Sequence, residues 1–326
     1  MIRSDYIKSI FAFEDINIIN LDFLYSDELY ITVCPSDFAK SCNLLHKHLG
    51  LAVATFFAED LRAGSNTFRL YCGFLSIQIH AWVFVCQDVA SDNPKFTSIA
   101  KDIYSASLFE REIKEMFGIE AEGNPDLRSL KLHDEVWPKG YYPLRKDFFR
   151  PQENSYTGKW YQFKRVEGEG IFEVPVGPVH AGVIGPGHFR FSVAGEPIIN
   201  LEIRLGWTHR GIEKLLEGKG IDEAVSIFER ISGDTAFGYS MAFCRSVEKI
   251  LGENVPIRVQ LLRVLYLELE RLYNHANDIG GIALDVGFSF PAQFASLIKE
   301  TILQLNDGLC GSRYLKGINK IGRAHV

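Results

Sequence analysis

In the first third of the chain, hydrophobic and polar positions alternate over short stretches, a pattern typical of half-buried β-strands. β-branched and aromatic residues are frequent in four of these stretches, which predicts strands at 28–34, 51–61, 66–74 and 76–86. The spacing is helical over 36–50, with Ser36 as the predicted cap and Gly50 as the stop. A second helical spacing follows over 96–117. These elements indicate a small N-terminal α/β domain.

Periodicity is lost after residue 117. Residues 118–148 carry Gly and Pro at intervals, and such a long irregular segment predicts a docking arm at the end of a first domain, 1–148. The polar, Gly-containing residues 149–170 predict a linker. A second domain is expected over 171–320.

The second domain begins with short strands that Gly and Pro interrupt, and its pattern is helical after Thr208. Pro256 opens the clearest helix, which we expect to stop at the Gly280–Gly281 pair. Its apolar residues fall on one stripe, formed by Leu261, Val264, Leu265, Leu269 and Leu272. The predicted fold class is therefore α+β: a small α/β domain, then a strand segment, then a mainly helical bundle.

Composition narrows the possible functions. The chain has 326 residues, of which 47% are hydrophobic, and its formal charge of −6 argues against a nucleic-acid partner. The six cysteines form no C-x-x-C pair, so the sequence gives only weak support for a zinc or Fe–S site held by this chain alone. Apolar stretches such as 79–86 are too short to span a bilayer. Any membrane association is thus expected to be peripheral.

Two groups of motifs resemble known families. "FEREIKEMFGIEAEGNPDLRSL" and "WPKGYYPLRKDF" resemble the 30-kDa subunit of respiratory complex I, although Asn124 stands where that family usually has His. "GPVHAGVIGPGHFRF", "THRGIEKLLEGK" and "RLYNHANDIGGIALDVGF" resemble the complex I 49-kDa subunit and the large subunit of membrane-bound [NiFe] hydrogenases. Fusion of both types resembles the large subunits of formate hydrogenlyase and hydrogenase-4.

The hydrogenase resemblance places a metal loop at "ERISGDTAFGYS", where that family has E-R-V-C-G-I-C-x-x-A-H-S. Ser232 and Thr235 occupy the two cysteine positions, and Tyr239 occupies the histidine position. Nickel requires soft thiolates, and a hydroxyl offers a hard oxygen whose proton is hard to remove. The sequence therefore argues against a Ni–Fe centre and predicts no metal ligand in this chain.

The complex I resemblance is incomplete as well. Its quinone-binding tyrosine aligns with Gly233, and the second histidine of its H-P-x-x-H-G motif aligns with Ile184. Gly185 stands where the hydrogenases carry a proton-path glutamate. The candidate catalytic residues that the resemblance retains are Asp285, His180 and Arg230. His209 and Arg210 are expected near an Fe–S cluster of a partner chain, and the loop expected to face the substrate comprises Ser232, Gly233, Asp234 and Thr235.

Structural roles are open for the same residues. Ser232, Asp234 or Thr235 either caps a helix or contacts a substrate. Asp285 is either buried against a partner such as Arg230 or His180, or it is free to relay protons. Arg210 either tunes a nearby cluster or pairs with Glu213 or Glu229.

The resemblance implies a subunit of a complex I-like oxidoreductase on the cytoplasmic side of the cell membrane. It implies no cofactor bound by this chain alone, a [4Fe-4S] cluster in an adjacent small subunit, a quinone or another small oxidant as acceptor, and membrane antiporter-like subunits that translocate ions. Two alternatives are a true [NiFe] hydrogenase large subunit and a non-catalytic scaffold. We also expect residues 321–326, "IGRAHV", to be a non-native tail, because their codons can match a common sequencing-library adapter.

Overall fold

The chain divides into two compact units in the computed structural model. One unit comprises residues 1–175 and 187–207, and the other comprises residues 176–186 and 208–326. Sheets dominate the first unit and helices the second, which confirms the predicted α+β class. The residues that the structure describes are 4–76, 81–151, 160–180 and 185–324.

A five-stranded sheet forms the centre of the first unit. Its strands are β1 (Ile18–Tyr25), β2 (Glu28–Val33), β3 (Ala52–Asp60), β4 (Thr67–Ser76) and β5 (Ala81–Ala90). Their order is β1-β2-β5-β4-β3, and only the β2–β5 pairing within this sheet is parallel. The four strands predicted from alternation are thus confirmed, although residues 77–80 of the last one lie outside the described residues.

Helices pack against this sheet and contribute to its core. They are α1 (Ser4–Phe13), α2 (Phe38–Leu49), α3 (Arg62–Ser65) and α4 (Ala106–Phe117). Two further short strands, β6 (Lys95–Thr97) and β7 (Glu120–Glu122), pair with each other in parallel. Phe11 of α1 and Phe38 of α2 are fully buried in the same cluster as Phe74 of β4. Gly50 ends α2 with a φ of 64°, as predicted, because glycine enters the left-handed region without strain.

Two predicted helix starts are wrong. Ser36 does not cap α2, because a 3₁₀ turn over Pro35–Asp37 precedes that helix and its N-terminus has no side-chain cap. The helix predicted over 96–117 begins only at Ala106. Phe96, Ile99 and Ile103 are buried at helix-like spacing, but they lie in a strand and in turns, so their periodicity is misleading.

Ion pairs and close packing hold the irregular arm after α4. Arg62 donates to Asp60, whose side chain is 1% exposed, and also to Asp147 of the arm. Gly206 has a φ of 103°, and a β-carbon there would lie 2.5 Å from the carbonyl oxygen of Leu130. The arm is therefore an ordered part of the first unit.

A second sheet contains β8 (Ile171–Val176), β9 (His188–Ala194) and β10 (Ile198–Arg204) in the order β10-β9-β8. Most of it belongs to the first compact unit. The sequence-derived domain bounds, 1–148 and 171–320, follow family motifs rather than contacts and stay a prediction. Residues 152–159 of the predicted linker lie outside the described residues.

The second unit is mainly helical. Its elements are α5 (Ile212–Leu216), α6 (Ile221–Phe228), α7 (Ala236–Leu251), α8 (Ile257–Asp285), α9 (Ser289–Cys310), β11 (Asn319–Lys320) and β12 (Arg323–Ala324). Pro256 precedes α8 as predicted, but α8 continues through Gly280 and Gly281. A β-carbon at Gly280 would lie 3.2 Å from the Ala295 side chain, so this glycine allows close approach of α9.

The aliphatic stripe of α8 is largely exposed. Leu261, Val264, Leu265 and Leu272 are each at least half exposed, and Leu269 is buried. The opposite side of α8 is buried and carries polar and aromatic residues, namely Arg263, Tyr266, Glu270 and Tyr273. The predicted stripe therefore exists, but within the described residues most of it does not face the core.

Candidate functional site

The loop predicted to face a substrate connects α6 to α7. Ser232 Oγ donates to Asp234 Oδ1 at 2.8 Å, and the Thr235 N–H donates to the Ser232 carbonyl at 3.4 Å. Gly233 is exposed, and nothing among the described atoms lies within 4 Å of a β-carbon built there. These residues therefore form a tight turn in which the Ser232 and Asp234 side chains bond to each other rather than to the helix.

Arg210 anchors the beginning of this loop. Its Nη2 donates to the Arg230 carbonyl at 3.0 Å and also to the Ile231 carbonyl. The predicted alternative of an ion pair with Glu213 or Glu229 is wrong, because Arg210 forms neither pair among the described residues. Arg210 is exposed, so its proposed place beside a partner's cluster stays a prediction.

Glu229 and Arg230 directly follow α6, and neither side chain bonds to residues 232–235. Arg230 folds back along α6, where its Nη1 donates to the hydroxyl of Ser226 at 2.6 Å. Glu229 is buried and accepts the Gly317 N–H at 2.6 Å. Burial raises the pKa of the Glu229 carboxyl, and this hydrogen bond only partly offsets the rise.

A carboxylate from α8 caps the helix that follows the loop. Glu270 is 4% exposed and accepts the N–H groups of Phe237 at 2.7 Å and Gly238 at 2.9 Å. Thr235 occupies the N-cap position of α7 without a side-chain cap hydrogen bond. The prediction that Ser232, Asp234 or Thr235 caps this helix is therefore wrong. Burial raises the pKa of Glu270, although the two backbone hydrogen bonds oppose it.

Two further α8 residues hold the loop backbone. The Tyr273 hydroxyl donates to the Asp234 carbonyl at 2.6 Å, and Asn274 Nδ2 donates to the same oxygen at 3.0 Å. Tyr273 is fully buried, and its pKa is raised chiefly by that burial. Residues 234–238 are thus fixed by side chains of one helix.

The other predicted site residues lie apart from this network. Asp285 is the last residue of α8, is exposed, and makes no hydrogen bond or ion pair with the described residues. The alternative in which it is buried against Arg230 or His180 is therefore wrong. His180 and His209 are half-buried, and Ile184 lies outside the described residues. The fold thus brings together Arg210, Arg230 and the loop, whereas Asp285 is not bonded to them.

The sequence pattern does not single out Glu270, Tyr273 and Asn274 as site residues. A signal is present, because Arg263, Tyr266, Glu270 and Tyr273 recur at helical spacing along α8. A polar stripe is ordinarily the solvated face of a helix, and an aliphatic stripe is ordinarily the buried face. In α8 the polar stripe is buried and most of the aliphatic stripe is exposed, which the sequence alone does not show.

The loop's donor atoms do not fit a nickel centre. Ser232 and Thr235 offer hydroxyls, Asp234 offers a carboxylate, and the Ser232 hydroxyl already bonds to that carboxylate. These are hard oxygen donors, whereas nickel in the resembling family is held by thiolates. The expectation that no Ni–Fe centre forms here rests on this chemistry.

Comparison with known proteins assigns the N-terminal part of the chain to a protein family. Residues 31–154 match the family described as the 30-kDa subunit of the respiratory-chain NADH dehydrogenase. Residues 31–154 therefore carry a domain of this family. The complex I 30-kDa domain covers most of the five-stranded sheet, α4 and the arm, as the motifs predicted.

Curated relatives extend the similarity into the helical unit. The chain is 33% identical to formate hydrogenlyase subunit 5 of Escherichia coli K12 over 304 residues, which is 91% of this chain and 53% of that protein. It is 34% identical to hydrogenase-4 component G of the same organism, over 86% of this chain and 51% of that protein. It is 28% identical to the fused C/D subunit of the NADH-quinone oxidoreductase of Bdellovibrio bacteriovorus, over 67% of this chain and 40% of that protein. The chain thus spans about half the length of the first two relatives.

These relatives confirm the resemblance to fused hydrogenase and quinone-oxidoreductase subunits. Their names describe oxidoreductases or components of them. No helix in the described part of the chain is both long and apolar enough to cross a membrane.

Proposed function

We propose that this chain is part of an electron-transfer subunit in a membrane-associated, complex I-like oxidoreductase. Electrons arrive from an Fe–S cluster on a partner small subunit and are delivered to a quinone or another small oxidant. Membrane partner subunits of the antiporter type use the released energy to translocate ions. The complex lies on the cytoplasmic side of the membrane, with this chain as a peripheral member.

One observation carries the proposal. The loop that would hold nickel in a hydrogenase keeps a fixed backbone, bound by Arg210 at one end and by Glu270, Tyr273 and Asn274 at the other, yet offers only hydroxyl and carboxylate donors. The many hydrogen bonds that hold the loop backbone support the proposal that the site is still functional, with an acceptor that needs no nickel. Quinones need no metal ligand, which suits the change in donor chemistry.

Asp285 is the candidate for proton exchange at this site. Reduction of a quinone to a quinol consumes protons along with electrons, so the site needs a group in contact with solvent. Asp285 is exposed at the end of α8 and is bound to none of the described side chains. Its carboxylate is therefore in contact with solvent, as this role requires.

The test uses the complete purified complex with Asp285→Asn, and Asp278→Asn as the matched control. Asp278 is another exposed carboxylate on the same helix. We expect D285N to assemble normally and to lose most of its turnover with a short-chain quinone, while D278N retains it. Undiminished turnover in D285N would favour a scaffold role for this chain. The observation that supports this alternative is that Asp285 makes no bond to the described residues of the loop.

A hydrogenase is the second candidate, because two relatives are a formate hydrogenlyase subunit and a hydrogenase-4 component. Metal analysis of the same complex separates the two. Stoichiometric nickel together with hydrogen evolution would reject the quinone proposal. Quinone reduction without nickel would support it.

A further inference from the structure

Glu270, Tyr273 and Asn274 occupy little more than one turn of α8 and direct their polar groups at the same short piece of backbone. Glu270 binds the N–H groups of Phe237 and Gly238, and the other two bind the Asp234 carbonyl. We call these three residues the α8 clamp. Its partners all lie between the last loop residues and the first turn of α7.

The chemistry of the clamp suits each partner. The first N–H groups of a helix have no intrahelical acceptor, and the helix dipole favours a negative charge beside them. A carboxylate has two acceptor oxygens, and Glu270 uses one for each N–H. The carbonyl of Asp234 needs donors instead, which Tyr273 and Asn274 provide.

The loop's own side chains leave this task to α8. Thr235 makes no cap hydrogen bond, and the Ser232 hydroxyl bonds to Asp234. An uncapped loop of this kind would be free to rearrange, since few buried contacts hold Gly233 and Asp234, which are both exposed. The end of the loop that leads into α7 is therefore held from α8, whereas Arg210 holds its beginning.

We propose that Glu270 is a positioning residue for the substrate loop. Its carboxylate fixes the first turn of α7, and with Tyr273 and Asn274 it fixes the conformation in which Ser232–Thr235 meet the acceptor. This inference rests on the proposed function in one respect, namely that the loop faces the acceptor.

Hydrogen exchange of the purified complex tests the clamp without any assay of activity. Glu270→Gln keeps the shape of the side chain but only one acceptor oxygen, whereas Glu270→Ala removes both. Tyr273→Phe removes the hydroxyl that donates to the Asp234 carbonyl. The matched control is Glu268→Gln, because Glu268 is an exposed residue of α8 that pairs with Arg271.

We expect amide exchange over residues 233–238 to be about tenfold faster in E270Q and faster still in E270A. Y273F should accelerate exchange near Asp234, and E268Q should change nothing. Unchanged exchange in E270Q would overturn the proposal. An increase spread equally over α8 and α9 would also overturn it, because Glu270 would then serve the bundle as a whole.

Steady-state kinetics with a short-chain quinone test the link to the acceptor. A displaced loop should raise KM several-fold in E270Q and Y273F while kcat stays close to its original value, which is the signature of lost binding. Faster exchange with an unchanged KM would overturn the inference that the loop positions the acceptor. If the unmodified complex reduces no quinone, the proposed function fails, and the exchange experiment still decides whether the clamp exists.

Discussion

The guanidinium of Arg263 and the carboxylate of Glu248 form a two-pronged salt bridge between α8 and α7, with N–O distances of 2.8 and 2.6 Å. Their side chains are only 4% and 5% exposed. Arg263 also donates to the Lys320 carbonyl, and Glu248 accepts the Gly322 N–H. One buried ion pair thus joins α7 to α8.

Breaking this pair from one side should strongly destabilise the second unit. Glu248→Gln leaves the Arg263 charge buried without its counter-ion, and we expect a loss of about 3–5 kcal/mol in the free energy of unfolding. The double variant Glu248→Leu with Arg263→Met should recover much of that loss. Urea denaturation followed by circular dichroism measures both.

The control for this pair is Glu300→Gln, which breaks the exposed pair between Glu300 and Arg313. Exposed pairs contribute little, so no measurable change is expected there. A loss in E248Q as small as that in the control would contradict a stabilising role for the buried pair.

Acid should weaken the attachment of the arm to the first sheet. Burial alone would raise the pKa of Asp60, but hydrogen bonds from Arg62 and from the Lys146 N–H outweigh it and lower that pKa to about 2. A carboxylate with a lowered pKa stabilises the fold above its unfolded pKa, near 4, and this contribution is lost as pH falls toward 2. It amounts to roughly 2 kcal/mol at neutral pH.

The measurement compares the original chain with Asp60→Asn by urea denaturation from pH 6 to about pH 2.5. The difference in free energy of unfolding between them should shrink as the pH falls. A difference that stays constant over this range would show that the ionised form of Asp60 has no special role.

Local chemistry explains which sequence predictions are confirmed. Gly50 ends α2 because a left-handed C-cap is a property of one residue, and the alternating strands follow from a sheet with one buried face. The cap of α7 could not be predicted in this way. Its acceptor, Glu270, lies more than thirty residues away from Phe237, and no local pattern connects them.

Tertiary packing accounts for the other differences. The sequence predicts that Gly280 ends α8, but this glycine lies inside the helix because α9 approaches it closely at Ala295. A buried partner is one expectation for Asp285, but its position at the exposed end of the helix leaves it unbound to the described residues. The sequence therefore identifies the loop and its missing thiols, whereas the side chains that hold the loop emerge only from the fold.

Gly206 should tolerate no side chain. Its φ of 103° disfavours other residues, and a β-carbon would lie 2.5 Å from the Leu130 carbonyl and 2.9 Å from the His133 ring. Gly206→Ala should therefore destabilise the first unit by at least about 1–3 kcal/mol.

Gly64→Ala is the control, since no described atom lies within 4 Å of its β-carbon position and its φ is not in the left-handed region. Thermal unfolding should show a lower Tm for G206A only, and equal Tm values would refute the close packing of the arm.

On α8 the polar and aromatic side is buried and the aliphatic side is exposed, so two adjacent residues of this helix differ strongly in their exposure to solvent. Tyr266 is 2% exposed and packs against Phe237 with ring centroids 5.6 Å apart, whereas Leu265 is 50% exposed. Removal of a buried aromatic ring leaves a cavity, so Tyr266→Ala should lower the free energy of unfolding by about 3–5 kcal/mol. Leu265→Ala removes a side chain that is already half in water, and the loss should stay below about 1 kcal/mol. Urea denaturation of the 326-residue chain measures both variants under one condition. Equal losses would mean that the aliphatic stripe is covered in solution, because only a buried leucine gives so large an effect.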